Sequence, residues 1–306
     1  MLSFLKLIRY KNLLMVFLTM VLTKYALIHS ITTNSYLSNF EFLILVLSVI
    51  SITAGGYIVN DIFDIETDKI NKPANVFIDA TLSKKNAWIC YFLLTFLGII
   101  LGIYSSFLNE NLFFSFIFIG SILGLFFYSK YFKKQLLFGN LLVSVFVGLS
   151  IFILILFEFD TQTNSSTANV KNAFKLLFPF LFVSGYSFFA FLTTLVREII
   201  KDIEDIKGDL KIKARTLPIV IGRKRASKVA FFFSSILLVF LLIVLQFLKN
   251  ELLFLSYGIV FILLPLLYFM YELWFSETKK EYSKLSHILK IIMLLGILSM
   301  LLFKIN

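Results

Sequence analysis

Cysteine is nearly missing from this chain. Cys90 stands alone among 306 residues, so neither an internal disulfide nor a cysteine-based metal cluster can form. Histidine is almost as scarce: His29 and His287 are too few to suggest haem or zinc chemistry. Charge is thin as well, at 15% of residues against about 25% in a soluble globular domain. No Pro/Gly/Ser-rich linker divides the chain, so residues 1–306 are read as one domain. Apolar residues fill the space that is left, with 59% hydrophobic, thirty-eight phenylalanines and a mean hydropathy of +0.92. That composition belongs to an integral membrane protein.

Apolar runs of about 20 residues each suffice to span a bilayer core. Nine are found, at roughly 11–30, 41–60, 86–108, 111–128, 136–157, 172–196, 228–248, 251–272 and 287–304. The basic N-terminus resembles a signal peptide, but its apolar part runs too long and no small-x-small site ends it. It is read as a retained first helix. Loops after the even-numbered spans carry the charge, and those after the odd-numbered spans are short or Ser/Thr/Asn-rich. Counted with the N-terminal tail, the charged side holds 24 of the 29 Lys and Arg residues. The positive-inside rule places that side, and the N-terminus, in the cytoplasm. The net charge of +11 then reflects topology and attraction to membrane lipids. No basic stripe in a soluble domain points to nucleic acid.

Against this background two acidic stretches stand out. "NDIFDIETD" follows the second span and "DIEDIKGD" follows the sixth. If each helix runs on through its acids at about 100° per residue, the side chains sort into faces. Relative to Asn60, Asp64 lies at about 40°, Asp68 at about 80° and Asp61 at about 100°, while Glu66 falls at about 240°. Relative to Asp202, Asp209 lies at about −20°, Glu198 at about −40° and Asp205 at about −60°, with Glu204 at about 200°. Each segment presents one carboxylate face and turns one glutamate away. Like charges at such spacing repel and call for a counter-charge. Mg²⁺ takes hard oxygen ligands and binds through a few carboxylates plus substrate phosphates. Solvated helix ends of mixed charge would explain one such cluster. They do not explain two with the same D-x-x-D-x-x-x-D spacing on the same side.

These stretches resemble the two motifs of the UbiA family of intramembrane prenyltransferases, N-D-x-x-D-x-x-x-D and D-x-x-D-x-x-x-D. "RTLPIVIG" resembles the segment that trails the second motif. "FFYSKYFKK" is similar to the family's Y-S-x-x-L-K segment, with Phe132 in place of leucine. "IRYKN" is similar to its R-P-x-N entry to the first helix, with Tyr10 in place of proline. The family's N-x-P-x-R-P loop reads "NKPANVF" here and lacks its arginine.

The resemblance implies an all-α, polytopic fold of about nine transmembrane helices around a central cavity, sited in the cell membrane with the active site facing the cytoplasm. It implies transfer of a prenyl group from a prenyl diphosphate to a lipid-soluble or phosphorylated lipid acceptor. Asn60, Asp64 and Asp68 with Asp202, Asp205 and Asp209 would hold Mg²⁺ on the diphosphate, with Asp61 beside them. Arg9, Lys133 and Lys201 are the candidate cations for the leaving group. Asn12 joins Arg9 as a substrate contact, and Tyr128 would face the developing allylic cation or the diphosphate. The pattern is most similar to the branch whose acceptor is geranylgeranylglyceryl phosphate; 1,4-dihydroxy-2-naphthoate is the runner-up acceptor. An ion-coupled transporter is the rival from another class, since intramembrane carboxylates often mark ion pathways. The acids here sit at helix ends, however, and mid-span charge is nearly absent. Gly55 and Gly56 are read as helix-packing residues.

Overall fold

The computed structural model describes the backbone of residues 2–32, 37–71, 76–78, 82–163 and 170–305, and the side chains of 4–32, 37–71, 76–78, 82–158 and 177–305. Residues 72–75, where the N-x-P-x-R-P pattern departs, and the Ser/Thr/Asn-rich 164–169 lie outside the described residues. Nine helices among those described are long and apolar enough to cross a membrane. They are α1 (Tyr10–Ile31), α2 (Asn39–Asn71), α3 (Lys84–Leu108), α4 (Leu112–Lys130), α5 (Phe138–Thr163), α6 (Val170–Lys211), α7 (Arg223–Phe247), α8 (Leu252–Phe275) and α9 (Lys279–Ile305). Short helices Leu2–Leu7 and Leu217–Ile221 flank α1 and α7. The described residues contain no strand.

The two helices that carry the acids outrun the expected spans. Hydropathy ends a segment where the lipid ends, but α2 continues from 60 to Asn71 and α6 from 196 to Lys211. At 33 residues, α2 is about 50 Å long against a hydrocarbon core of about 30 Å. Its last turns therefore stand clear of lipid, where carboxylates are tolerated. α6 ends where Lys213 turns left-handed at φ 55° and the Ala214 N–H donates to the Asp209 carbonyl at 3.0 Å. That is a helix C-cap geometry, occupied here by lysine rather than glycine.

α6 is the central helix, packing against α2, α5, α7 and α9. One buried core joins it to α7, α8 and α9 through Leu195, Ile199, Phe269 and Leu289. A second joins it to α1, α2, α4 and α5 through Met20, Leu45, Phe118, Leu154 and Val183. Without a hydrophobic drive between helices in lipid, close approach depends on small residues. A Cβ on Gly98 would lie 2.6 Å from Ile52, one on Gly55 would meet Thr95 at 2.9 Å, and one on Gly56 would meet Leu125 at 2.9 Å. The packing role expected for Gly55 and Gly56 holds.

The alternation of loops is visible as two ends. At one end Arg9 meets Asp61, Lys133 meets Asp64, the Arg215 N–H donates to the Lys134 carbonyl, and Lys279 donates to the Asn71 carbonyl. At the other, buried Lys24 sits 4.0 Å from Glu158, Asn109 donates to the Phe157 carbonyl, and Tyr25 donates to Asn39. Among the described residues, the tail, the end of α2 and the charged segments after α4, α6 and α8 converge on one face of the bundle.

Candidate active site

The continuous helices satisfy the condition on which the carboxylate faces depended, and α2 and α6 pack directly on each other. On α2, Asn60 donates to Asp64 at 2.7 Å. Asp64 is buried, whereas Glu66 is exposed and pairs with Lys69 at 3.8 Å. On α6, Asp209 is buried and accepts from Thr216 at 3.4 Å, and Asn140 of α5 donates to Asp202 at 2.8 Å.

Lys133, from the turn between α4 and α5, joins the two faces. Its ammonium is hydrogen-bonded to Asp64 and lies 3.4 Å from Asn60 Oδ1. It is also within electrostatic reach of Asp68, Asp202, Asp209 and Glu198. Burial opposes its charge, but Asp64 and its neighbours outweigh that and hold Lys133 above the usual lysine range. It therefore stays an ammonium at neutral pH. Tyr128 lies in the same field, within reach of Lys133, Asp64, Glu198 and Asp202.

Asp61 and Lys201, both expected around the diphosphate, have ion-pair partners of their own. Asp61 accepts from Arg9 at 2.7 Å, and that guanidinium stacks 5.1 Å over the Tyr57 ring. The backbone of Arg9 is left-handed at φ 52°, a conformation uncommon outside glycine and often kept for function. Asn12 sits against the Tyr57 hydroxyl. Lys201 donates to Glu198 at 2.6 Å, on the same oxygen that Arg197 reaches at 3.1 Å.

Sequence reasoning missed Asn140 and Asn71. No motif covers Asn140. Asn71 was legible, because eleven residues after Asn60 brings it back to about 20° on the same face. Its side chain donates to the Asp205 carbonyl at 2.9 Å and accepts from the Gly208 N–H at 3.0 Å, pinning the end of α2 to the second acidic helix. Thr67, also on this face, has a buried hydroxyl with no hydrogen-bond partner.

Among the described residues, no three His, Cys, Asp or Glu side chains stand close enough to enclose a metal ion. Lys133 is the cation the acids share. The donor set is nonetheless the hard, all-oxygen kind that suits Mg²⁺, which commonly uses one or two carboxylates and completes its shell with phosphate oxygens and water. The orphaned Thr67 hydroxyl leaves a polar group for such a shell to satisfy. The residues fit the ion.

Two cavities are found among the described residues. One of about 60 Å³ lies deeper in the bundle, lined by Thr53, Ile117, Ser121, Leu125 and Phe146. Thr53 is two turns below Asn60 on the same face of α2. Another, of about 450 Å³, is lined by Arg223, Lys224, Ser276, Glu277 and Tyr282. Its polar groups are largely engaged with one another: Lys224 pairs with Glu277 at 2.9 Å and Tyr282 donates to the Ser276 carbonyl at 2.8 Å. The acidic chemistry lies elsewhere.

Fold and site together define a polytopic membrane protein with a paired carboxylate site at one mouth of its helix bundle. A model of the UbiA prenyltransferase family matches residues 13–297, and the chain belongs to this family. It is 32% identical to the digeranylgeranylglyceryl phosphate synthase of Saccharolobus solfataricus, over 89% of this chain and 88% of that one. It is 35% identical to the synthase of the same name from Sulfurisphaera tokodaii, over 66% of this chain and 64% of that one. A solved structure from work on digeranylgeranylglyceryl phosphate synthase in membranes superposes with a TM-score of 0.64 at 26% identity, covering 98% of this chain and 96% of the other. The UbiA homolog from Archaeoglobus fulgidus bound to DMAPP and Mg²⁺ superposes with a TM-score of 0.54 at 16% identity, over 97% and 99% of the two chains, and shares the fold.

Proposed function

We propose that this chain transfers a geranylgeranyl group from its diphosphate to the free hydroxyl of geranylgeranylglyceryl phosphate, with Mg²⁺. The observation that carries the reading is the convergence of Asp64, Asp68, Asp202 and Asp209 around Lys133, in a chain akin to digeranylgeranylglyceryl phosphate synthases. In the reaction the allylic C–O bond to the diphosphate breaks, an ether C–O bond forms at the glycerol oxygen, and that hydroxyl releases its proton.

Asn60, Asp64 and Asp68 on α2 and Asp202, Asp205 and Asp209 on α6 are the metal donors in this reading. Asp61 is left to Arg9. Bound Mg²⁺ supplies charge stabilisation on the departing diphosphate. Lys133 adds a fixed ammonium where that negative charge grows, which is where preorganised electrostatics act most strongly. When the diphosphate enters, Lys133 exchanges Asp64 for a phosphate oxygen. Tyr128 orients the diphosphate end of the donor. Asn140 holds Asp202, and Asn71 holds the spacing between the two helices. The cavity under Asn60 is far below the roughly 300–1,000 Å³ of a small-molecule pocket, so the prenyl tail must spread the helices or lie along their lipid-facing surface.

The site faces the cytoplasm of the cell membrane, because the end that carries it also carries most Lys and Arg. The deciding experiment uses purified protein in nanodiscs with Mg²⁺ and geranylgeranyl diphosphate. It offers geranylgeranylglyceryl phosphate and 1,4-dihydroxy-2-naphthoate in competition, with products read by mass spectrometry. The expected product is digeranylgeranylglyceryl phosphate. Transfer only to the naphthoate, or to neither, would sink the lipid reading.

A further inference from the structure

Next to the acidic site lies a second cluster, of opposite sign. Arg9, before α1, pairs with Asp61 and stacks on Tyr57. Arg197 and Lys201 on α6 converge on a single carboxylate oxygen of Glu198. Tyr57 is within electrostatic reach of Arg9, Arg197 and Glu198, which ties the two groups together. Lys290, on α9, is within the same reach of Arg9, Arg197 and Glu198. Four basic side chains therefore face two carboxylates, and the group is rich in donors and positive potential.

The cluster is built into the bundle rather than spread on its surface. The side chains of Arg197 and Glu198 are each 15% exposed, and Asp61 is 14% exposed. The Nε–H of Arg197 is buried with no hydrogen-bond partner. A guanidinium has five donors in a fixed fork suited to phosphate, and leaving a buried donor unmet is costly. Lys290 and Lys11 are exposed at the rim. The cations that follow, from Lys207 to Lys228, are differently disposed. Lys207, Lys211, Lys213, Arg215, Arg225 and Lys228 are exposed, and Lys224 is paired with Glu277. Of the cations from Arg197 to Lys228, Arg197 and Lys201 are thus the ones drawn into the bundle.

We propose that Arg9, Arg197, Lys201 and Lys290 form the subsite for the phosphomonoester of the acceptor, separate from the diphosphate site at Lys133. This rests on the function proposed above and specifies which residues recognise the acceptor. A phosphomonoester carries about −1.5 to −2 charges at neutral pH, and it would meet the donors and positive potential of this group. Glu198 borders both sites, since Lys133 and Tyr128 also lie within its reach. A phosphate held at Arg197 would place the hydroxyl of the same glycerol beside the donor. Arg9 and Lys201 then act on the acceptor rather than on the leaving diphosphate.

The test is steady-state kinetics on Arg197→Gln, Lys201→Gln and Lys290→Gln in nanodiscs of zwitterionic lipid, varying donor and acceptor separately. Each lost charge-assisted contact should raise the KM for geranylgeranylglyceryl phosphate by about tenfold or more, with the KM for geranylgeranyl diphosphate within twofold. Arg197→Lys should restore part of the loss. Lys290 is exposed, so its variant should fold even if Arg197→Gln does not, and it decides the matter alone in that case. Equal rises in both KM values, or no rise for the acceptor, overturn the subsite. So does competition by phosphatidic acid as strong as that of the acceptor, which would reassign the cluster to bulk anionic lipid. If wild type makes no digeranylgeranylglyceryl phosphate, the function itself fails. If it does and the variants do not discriminate, only the subsite fails.

Discussion

A buried carboxylate beside a lysine is a common structural pair, and what sets Lys133 apart is the company it keeps. Its one ammonium serves Asp64 directly and lies in the field of acids from two helices. Removing it should therefore damage both the site's charge balance and its hold on the diphosphate. Lys133→Ala and Asp64→Ala are each expected to lower kcat by about a hundredfold or more, the scale of losing one preorganised electrostatic contact. Glu66→Ala should stay within twofold, because that side chain is exposed and, among the described residues, pairs with Lys69 on its own helix. The check is turnover by monodisperse, folded variants. Equal losses in all three would show that the face assignment is wrong.

Between elements, the contact of α2 with α6 decides whether two acidic faces become one site. Asn71 bridges them with two hydrogen bonds, and the backbone of Gly208 approaches it so closely that a Cβ there would lie 2.3 Å from Asn71 Nδ2. Gly208→Ala should therefore expel the Asn71 side chain. We expect a destabilisation of about 1–3 kcal/mol, read by thermal unfolding in detergent, together with a rise in the Mg²⁺ concentration needed for half-maximal activity. Asn71→Ala should shift the Mg²⁺ requirement the same way. Gly120→Ala is the control, since a Cβ there meets nothing within 4 Å, and neither measurement should move. An unchanged Mg²⁺ requirement in both Gly208→Ala and Asn71→Ala would mean that the bridge does not position the acids.

For the whole molecule, the contacts Arg9–Asp61, Lys133–Asp64, Arg215–Lys134 and Lys279–Asn71 gather the tail and the charged loops at one end. Reporters fused after residue 132 or 215 should both read cytoplasmic, and one after residue 110 should read external. A split between 132 and 215 would contradict the shared site. EDTA should abolish turnover and excess Mg²⁺ restore it, while helicity stays unchanged by circular dichroism, because the fold is held by helix packing rather than by metal.

The membrane class, the helix count, the sidedness of charge and the two carboxylate faces were all legible in the sequence. Each depends on local periodicity or composition, and a helix in lipid has few alternatives once its apolar run is long enough. Helix lengths were underestimated at α2 and α6, since hydropathy senses the lipid boundary and not the end of the hydrogen-bonded ladder. Which acids would meet which cations could not be read. Asp61 and Asp64 lie three residues apart on one helix, yet Arg9 takes the first and Lys133 the second. Lys201 was expected at the leaving group, yet it shares the Glu198 carboxylate with Arg197 on its own helix, and α9 brings Lys290 into their field. Arg9–Asp61 and Lys133–Asp64 join residues 52 and 69 positions apart, and only the tertiary arrangement of the helices brings such groups within range of each other's charge.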